Sequence, residues 1–300
     1  MKSVKQLLAF VLFMACIAAP LCTQAEDQER ILHGKGLLWK IEKSGLAASY
    51  IYGTMHVGDP RVLNLAPAVT DAFNNAQCFA MEMLLNFEAM GAMAQASFFN
   101  DGSTLKSVMQ PNDYQKLIMV LQENYHMPEA AVINMRPWAV MVMMMMPTDG
   151  QANKDSALDM VLYRQAAMGK KQLLGLETVQ EQLAIFNSMS LDEQIWMLNR
   201  SVEDNQKVVG QMDALLEAYL ERDLAALVKL QEQNMYEDSD IDDRLLYEML
   251  DKRNPRMVER MQSCLQKGNA FVAIGALHLP GEQGVLHLLE QQGYTVAAVY

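Results

Sequence analysis

Cysteine and basic side chains are both scarce in this chain. Of its four cysteines, Cys16 and Cys22 fall within the first 22 residues. The two that remain, Cys78 and Cys264, are too few for a disulfide scaffold, and whether they meet is open at this level. Removing Lys2 and Lys5 with the first 25 residues leaves 22 Lys and Arg against 36 Asp and Glu, a formal charge of −14. A field of that sign attracts neither nucleic acid nor anionic lipid, so no nucleic-acid partner is expected. Beyond the first 25 residues no apolar run reaches the roughly 18 residues of a membrane span, and no Pro/Gly/Ser-rich stretch offers a linker. Several catalytic signatures are missing too: G-x-S-x-G, H-E-x-x-H, a phosphate-binding loop and, past the first 25 residues, C-x-x-C. A serine hydrolase or a nucleotide enzyme is therefore disfavoured.

The one long apolar run is at the start. Lys2 and Lys5 precede Leu7 to Leu21, and Thr23-Gln24-Ala25 supplies small residues at the spacing of a signal-peptidase site. This pattern predicts a secretory signal peptide, residues 1–25, cleaved after Ala25, and a periplasmic or secreted protein with no integral membrane segment. Cys22 follows Leu21 and Cys16 follows Met14-Ala15 inside the apolar core, which argues against lipidation.

Residues 26–300 read as a single domain. Short β-prone runs, "LLWKIE" from Leu37 and "SYIY" from Ser49, flank Lys43-Ser44-Gly45-Leu46 and predict a hairpin. A helix over Ala66 to Asn75 and a strand "CFAMEM", Cys78 to Met83, follow. Near the other end come "AFVAI" from Ala270, a helix from Gly284 and "TVAAV" from Thr295. Between them apolar spacing predicts helices over Tyr114 to Tyr125, Trp138 to Met146, Asp155 to Met168, Thr178 to Asn187, a long one around Leu191 to Glu221, Leu224 to Met235 and Arg244 to Leu265, interrupted at "QLLGLE", Gln172 to Glu177. The expected fold is α/β (α+β): a mixed central sheet built from both termini with a large helical insertion, approximately residues 87–265.

Two strands end alike. "SYIYGTMHVGD" stops at Gly53 and delivers His56; "FVAIGALHLPG" stops at Gly275 and delivers His278. In an α/β sheet the ligand crevice lies beyond the carboxyl ends of strands, and glycine permits a close backbone approach there. Glu82, near the end of an apolar strand, must be paired or ligating, because burying a lone carboxylate is costly. Two imidazoles and a carboxylate suit a divalent transition metal with a position left for water. The plainer alternative is that the histidines only shape turns and helix caps.

These residues carry a resemblance. "GTMH" and "GALH", Glu82, "RPWAV" from Arg136, "GLETVQEQL" from Gly175, "KRNPRM" from Lys252 and "HLPGEQG" from His278 resemble, in order, the TraB/GumN family. That family is grouped with the Tiki proteins and has a fold similar to erythromycin esterase and ChaN-like proteins. The resemblance spans about Leu37 to Val299. It implies a metal-dependent hydrolase, peptidase-like by analogy with the Tiki branch, acting on a peptide or protein, with manganese, cobalt or zinc as cofactor. It puts His56, Glu82 and His278, the candidate metal ligands, at the family's active centre. Glu177 is then expected to be a further ligand or general base, Arg253 a carboxylate clamp or oxyanion stabiliser, and Asn254 a ligand-orienting or helix-capping residue. A periplasmic haem-, metal- or peptide-binding protein without turnover is the alternative on the same fold.

Other features have plainer readings. "VMVMMMMP", Val140 to Pro147, reads as core packing in preference to a copper site. The acidic "YEDSDIDD", Tyr236 to Asp243, lacks the glycine and terminal glutamate of a calcium loop. His33, His126 and His287 read as surface or capping residues.

Overall fold

The hairpin forms where the turn residues predicted it. In the computed structural model, which describes residues 31–84, 86–144, 157–233 and 240–300, β1 (Leu38–Glu42) and β2 (Ser49–Thr54) pair antiparallel with Ile41 opposite Ser49. Gly45 takes φ +81° in the connecting turn, the left-handed region that favours a residue without Cβ. β3 (Cys78–Met83), β4 (Gln172–Glu177), β5 (Ala270–Gly275) and β6 (Thr295–Ala298) complete a six-stranded sheet of order β4-β3-β5-β2-β1-β6.

The sheet is mixed. β4, β3, β5 and β2 run parallel to one another, whereas β1 is antiparallel to both β2 and β6. β5, near the middle of the sheet, is buried from Ala270 through Ile274, as expected of a parallel strand covered on both faces. Phe73, Phe79 and Phe271 form an aromatic cluster beside it, the rings of Phe73 and Phe271 meeting edge to face at 5.4 Å.

β4 comes from the middle of the chain, between helices Leu158–Met168 and Val179–Asn187. The sheet thus draws an edge strand from inside the helical stretch, where the sequence expectation built it from the termini alone. The long helix expected around Leu191 to Glu221 is two helices, Leu191–Glu203 and Asn205–Leu220. The stretch from Arg244 to Leu265 is broken by a π-helical turn, Tyr247–Asp251, just before Arg253. An unexpected helix, Phe87–Ala96, starts on the Asn86 side chain, which accepts from the Ala89 amide at 2.8 Å.

Cys78 and Cys264, 186 positions apart, are joined in a disulfide with Cα atoms 6.0 Å apart. The bond fastens the start of β3 to the last turns of helix Asn254–Leu265. Met141 and Met144 pack among Leu117, Leu121 and Leu198, while Met145 to Pro147 lie outside the described residues, as do residues 1–30 and 236–239. Among the described residues no helix is long and apolar enough to cross a membrane.

Candidate functional site

The carboxyl ends of four parallel strands lie side by side. Thr54 at the end of β2 is in register with Gly275 at the end of β5, and Met83 of β3 with Glu177 of β4. Glu82 precedes Met83, so one edge of the sheet presents Glu177, Glu82, the Gly275 turn and the Thr54 turn in spatial order.

Both glycines are there for proximity. A Cβ on Gly275 would lie 3.2 Å from Glu82 Oε1, and one on Gly53 would come within 2.8 Å of Leu279 Cδ1. Without a side chain in the way, the Gly275 amide donates to Glu82 Oε1 at 2.8 Å. The Gly53 carbonyl accepts from the Tyr219 hydroxyl at 2.9 Å.

His278 sits in a short 3-10 turn after β5 and is almost fully buried, its side chain 4% exposed. Its tautomer follows from its neighbours. Asn254 Nδ2 donates to the Gln283 carbonyl at 2.8 Å, which turns Asn254 Oδ1 toward His278 Nδ1, 2.6 Å away. An amide oxygen can only accept, so Nδ1 carries the proton and Nε2 presents a lone pair. That lone pair faces Glu82 Oε1 at 3.7 Å. Burial, reinforced by the Arg253 charge and only partly opposed by Glu82, pushes the His278 pKa down to about 4. The ring is thus neutral at neutral pH.

Burial by itself would raise the Glu82 pKa. The charge that His278 carries at acid pH, then those of Arg253 and His56, and the Gly275 amide outweigh it and hold the group at about 2. With His278 neutral near pH 7, the cations that keep Glu82 ionised are Arg253, whose Nη2 donates to Glu82 Oε2 at 2.6 Å, and, after it, His56. Arg253 is buried and its guanidinium is fixed from several sides: Nη1 donates to the Met249 carbonyl of the π-helical turn at 2.9 Å, and Nε and Nη2 grip Glu177. Arg256 takes the other side of the Glu177 carboxylate. Glu177, its side chain fully enclosed, therefore has both oxygens committed to guanidinium groups.

His56 is the opposite case, with 62% of its side chain exposed. Its Nδ1 meets Asp159 Oδ2 at 2.6 Å. The Asp159 carboxylate is the main cause of a pKa raised to about 9, and the fields of Glu82 and Arg253 also reach the ring. Among the described residues no group of three His, Cys, Asp or Glu side chains is gathered closely enough to form a ready metal shell. The donor chemistry nevertheless fits a cation at the buried pair: a lone pair and a carboxylate oxygen face each other, each fixed from behind.

A sequence profile described as the TraB/PrgY/gumN family matches residues 37–298. The chain belongs to the TraB/PrgY/gumN family. The match reaches from the residue before β1 to the end of β6, so it takes in every strand of the sheet and both histidine turns. Similar curated proteins include metalloprotease TIKI1 of Danio rerio, 24% identical over 86% of this chain and 62% of its own length. Human metalloprotease TIKI1 is 25% identical over 86% of this chain and 61% of its own length. An uncharacterized protein of Treponema pallidum (strain Nichols) is 23% identical over 87% of this chain and 82% of its own. The chain thus spans somewhat over three-fifths of the length of the TIKI proteins it matches. No solved structure matches.

Against this family frame, the structure brings Glu82, Glu177, Arg253, Asn254 and His278 into one buried network, with His56 on the adjoining turn. The Asn254 side chain engages His278 and makes no helix cap. His287 pairs with Glu290 at 3.3 Å, and the same carboxylate oxygen is 3.1 Å from His33. His126 closes a helix in the left-handed conformation at φ +53°.

Sequence reasoning missed Asp159, Thr54 and Arg256. The signal for Asp159 was available: helix Leu158–Met168 buries Leu158, Leu162 and Ala166, and Asp159 is an acid on that same buried side.

Proposed function

We propose that this chain is an exported metal-dependent hydrolase of peptide bonds, with His56, Glu82 and His278 as the metal-binding residues. The observation that carries the reading is the His278 Nε2 lone pair 3.7 Å from Glu82 Oε1, with His278 held at Nδ1 by Asn254 and Glu82 held at Oε2 by Arg253 and at Oε1 by Gly275. Two acceptors fixed face to face in a buried place are an unfavourable pairing that a cation relieves. A bound divalent ion would supply an ionised water at neutral pH and polarise a carbonyl. The TIKI relatives, named as metalloproteases, support that chemistry and a peptide or protein substrate.

The roles follow from the contacts. His278 binds through Nε2, and Asn254 fixes the proton on its Nδ1. Glu82 binds through Oε1, while Arg253 clamps Oε2 and keeps the carboxylate ionised. Glu177, gripped by Arg253 and Arg256, anchors that clamp; with neither oxygen free it is not cast as ligand or general base. His56, at the exposed turn, closes the open side of the set when metal and substrate are present. Manganese, cobalt and zinc all accept such nitrogen and oxygen donors.

Export rests on the amino-terminal apolar run and is supported by the Cys78–Cys264 disulfide, a bond that persists in oxidising compartments. Cleavage of a peptide library by metal-stripped protein, with manganese, cobalt or zinc added back, tests the function. Hydrolysis that returns with metal and fails in Glu82→Gln is the expected result. Metal uptake with every peptide intact would instead make this a binding protein.

A further inference from the structure

The two site histidines are held by one device in two versions. Behind His278 stands a neutral acceptor, Asn254, fixed in turn by the Gln283 carbonyl. Behind His56 stands an anionic acceptor, Asp159, whose second oxygen accepts from the Thr54 hydroxyl at 2.7 Å. We infer that Asp159 is the positioning residue of His56: it keeps the Nδ1 proton in place, leaves Nε2 as the donor atom and fixes the ring, with Thr54 holding Asp159 for that purpose. The inference rests on the reading of His56 as a metal-binding residue and assigns a residue to support it.

Three observations carry it. Asp159 is only 7% exposed, and a carboxylate is retained in such a place only with strong partners; among the described residues these are Thr54, at the end of β2, and His56, in the turn that follows it. The helix that bears it is docked on the same turn, because the Leu158 amide donates to the Val57 carbonyl at 3.2 Å, and Asp159 lies in the helix's first turn, where an anion is favoured. Finally, the His56 ring is mostly exposed, so burial does not orient it and the 2.6 Å bond to Asp159 must do so. A bond to a charged acceptor is stronger than the neutral bond that suffices for buried His278. The open turn has the stronger tether because it lacks packing.

Asp159→Ala and Asp159→Asn test this in the full mature chain, with two readouts. One is the dissociation constant for Mn2+ or Co2+ added to metal-stripped protein. Asp159→Ala is expected to weaken it by about 10- to 100-fold, the usual effect of losing such a partner, and Asn, a neutral acceptor like the one behind His278, to recover part of the loss. The other needs no metal: a low-field Nδ1 proton resonance of His56 in the metal-free protein, absent from Asp159→Ala. Thermal midpoint and disulfide content serve as controls for folding. Affinity within twofold of the parent in Asp159→Ala, or a metal-free parent without the resonance, overturns the assignment. A parent that shows the resonance but takes up no metal removes the metal reading of the site and leaves the positioning of His56 standing.

Discussion

The two turns that carry the histidines differ most in what surrounds them. Around His278 the polar groups are enclosed and tied to one another: Asn254 at its Nδ1, Glu82 across from its Nε2, Arg253 between Glu82 and Glu177. Around His56 there is solvent on one side and a single strong bond to Asp159 on the other. The same strand-glycine-histidine pattern thus yields a rigid half-site and an open one. The difference arises from neighbours far away in sequence. The β5 turn meets helix Asn254–Leu265 through Asn254, and the β2 turn meets the first turn of helix Leu158–Met168 through Asp159 and helix Asn205–Leu220 through Tyr219.

The largest expected effect comes from breaking the buried half. Arg253→Met removes the cation shared by Glu82 and Glu177 and leaves two enclosed carboxylates, Glu177 still paired with Arg256. Loss of one partner from a buried ion pair costs about 3–5 kcal/mol, so denaturant titration of this variant should show a destabilisation of that size. An unchanged midpoint would mean that the network has far less electrostatic weight than its geometry indicates.

Next in size is the Cys78–Cys264 bond. It joins the strand that bears Glu82 to the helix that follows Arg253 and bears Asn254, so it braces the buried half and bypasses the open one. The Cys78→Ala, Cys264→Ala double variant should lose roughly 2–4 kcal/mol of stability. Its His56–Asp159 proton resonance should persist in the folded protein.

How much of this was legible beforehand follows the same division. Strand ends, the hairpin and the candidate ligands were readable because they are local: β-branched and aromatic runs, a glycine, then an imidazole. The fold class came through for that reason, and so did the placement of Glu82 near a strand end. β4 was visible as an interruption at Gln172–Glu177, yet its pairing with β3 is a long-range fact that no local pattern contains. Asp159 was passed over because a single acid on a helix normally reads as solvated; its place on the buried side of its helix was the available signal, and contact with Thr54 and His56 gives it a role. Helix Phe87–Ala96 was missed because it leaves Phe87 and Met90 exposed, so its apolar periodicity is poor.

Single replacements of the two histidines sharpen the comparison at smaller magnitude. His278→Ala leaves the buried Asn254 oxygen without its donor and should cost about 1–3 kcal/mol as well as metal binding. His56→Ala should abolish metal-dependent hydrolysis while moving the thermal midpoint little, since the ring is mostly exposed. Equal destabilisation by the two would erase the distinction between the turns.

The smallest effect is in the pH dependence of the metal-free protein. His56, raised from 6.5 to about 9, contributes stability that is complete below pH 6.5 and lost as pH rises to 9. His278, lowered from 6.5 to about 4, and Glu82, lowered from 4.5 to about 2, work the other way. Their contributions are present above pH 6.5 and 4.5 and are lost as pH falls through 4 and 2. Thermal midpoints should therefore decline on both sides, and His56→Gln should flatten the alkaline limb between pH 6.5 and 9 while leaving the acid limb intact.

The central claim is that the buried half and the open half serve one metal ion. Anomalous diffraction from crystals of the mature protein grown with manganese or cobalt addresses it directly. A single strong peak within bonding distance of His278 Nε2 and a Glu82 oxygen, with His56 Nε2 completing the set, is the predicted result. A peak bound elsewhere, or none at the carboxyl ends of β2, β3 and β5 while the protein hydrolyses peptides, would contradict it.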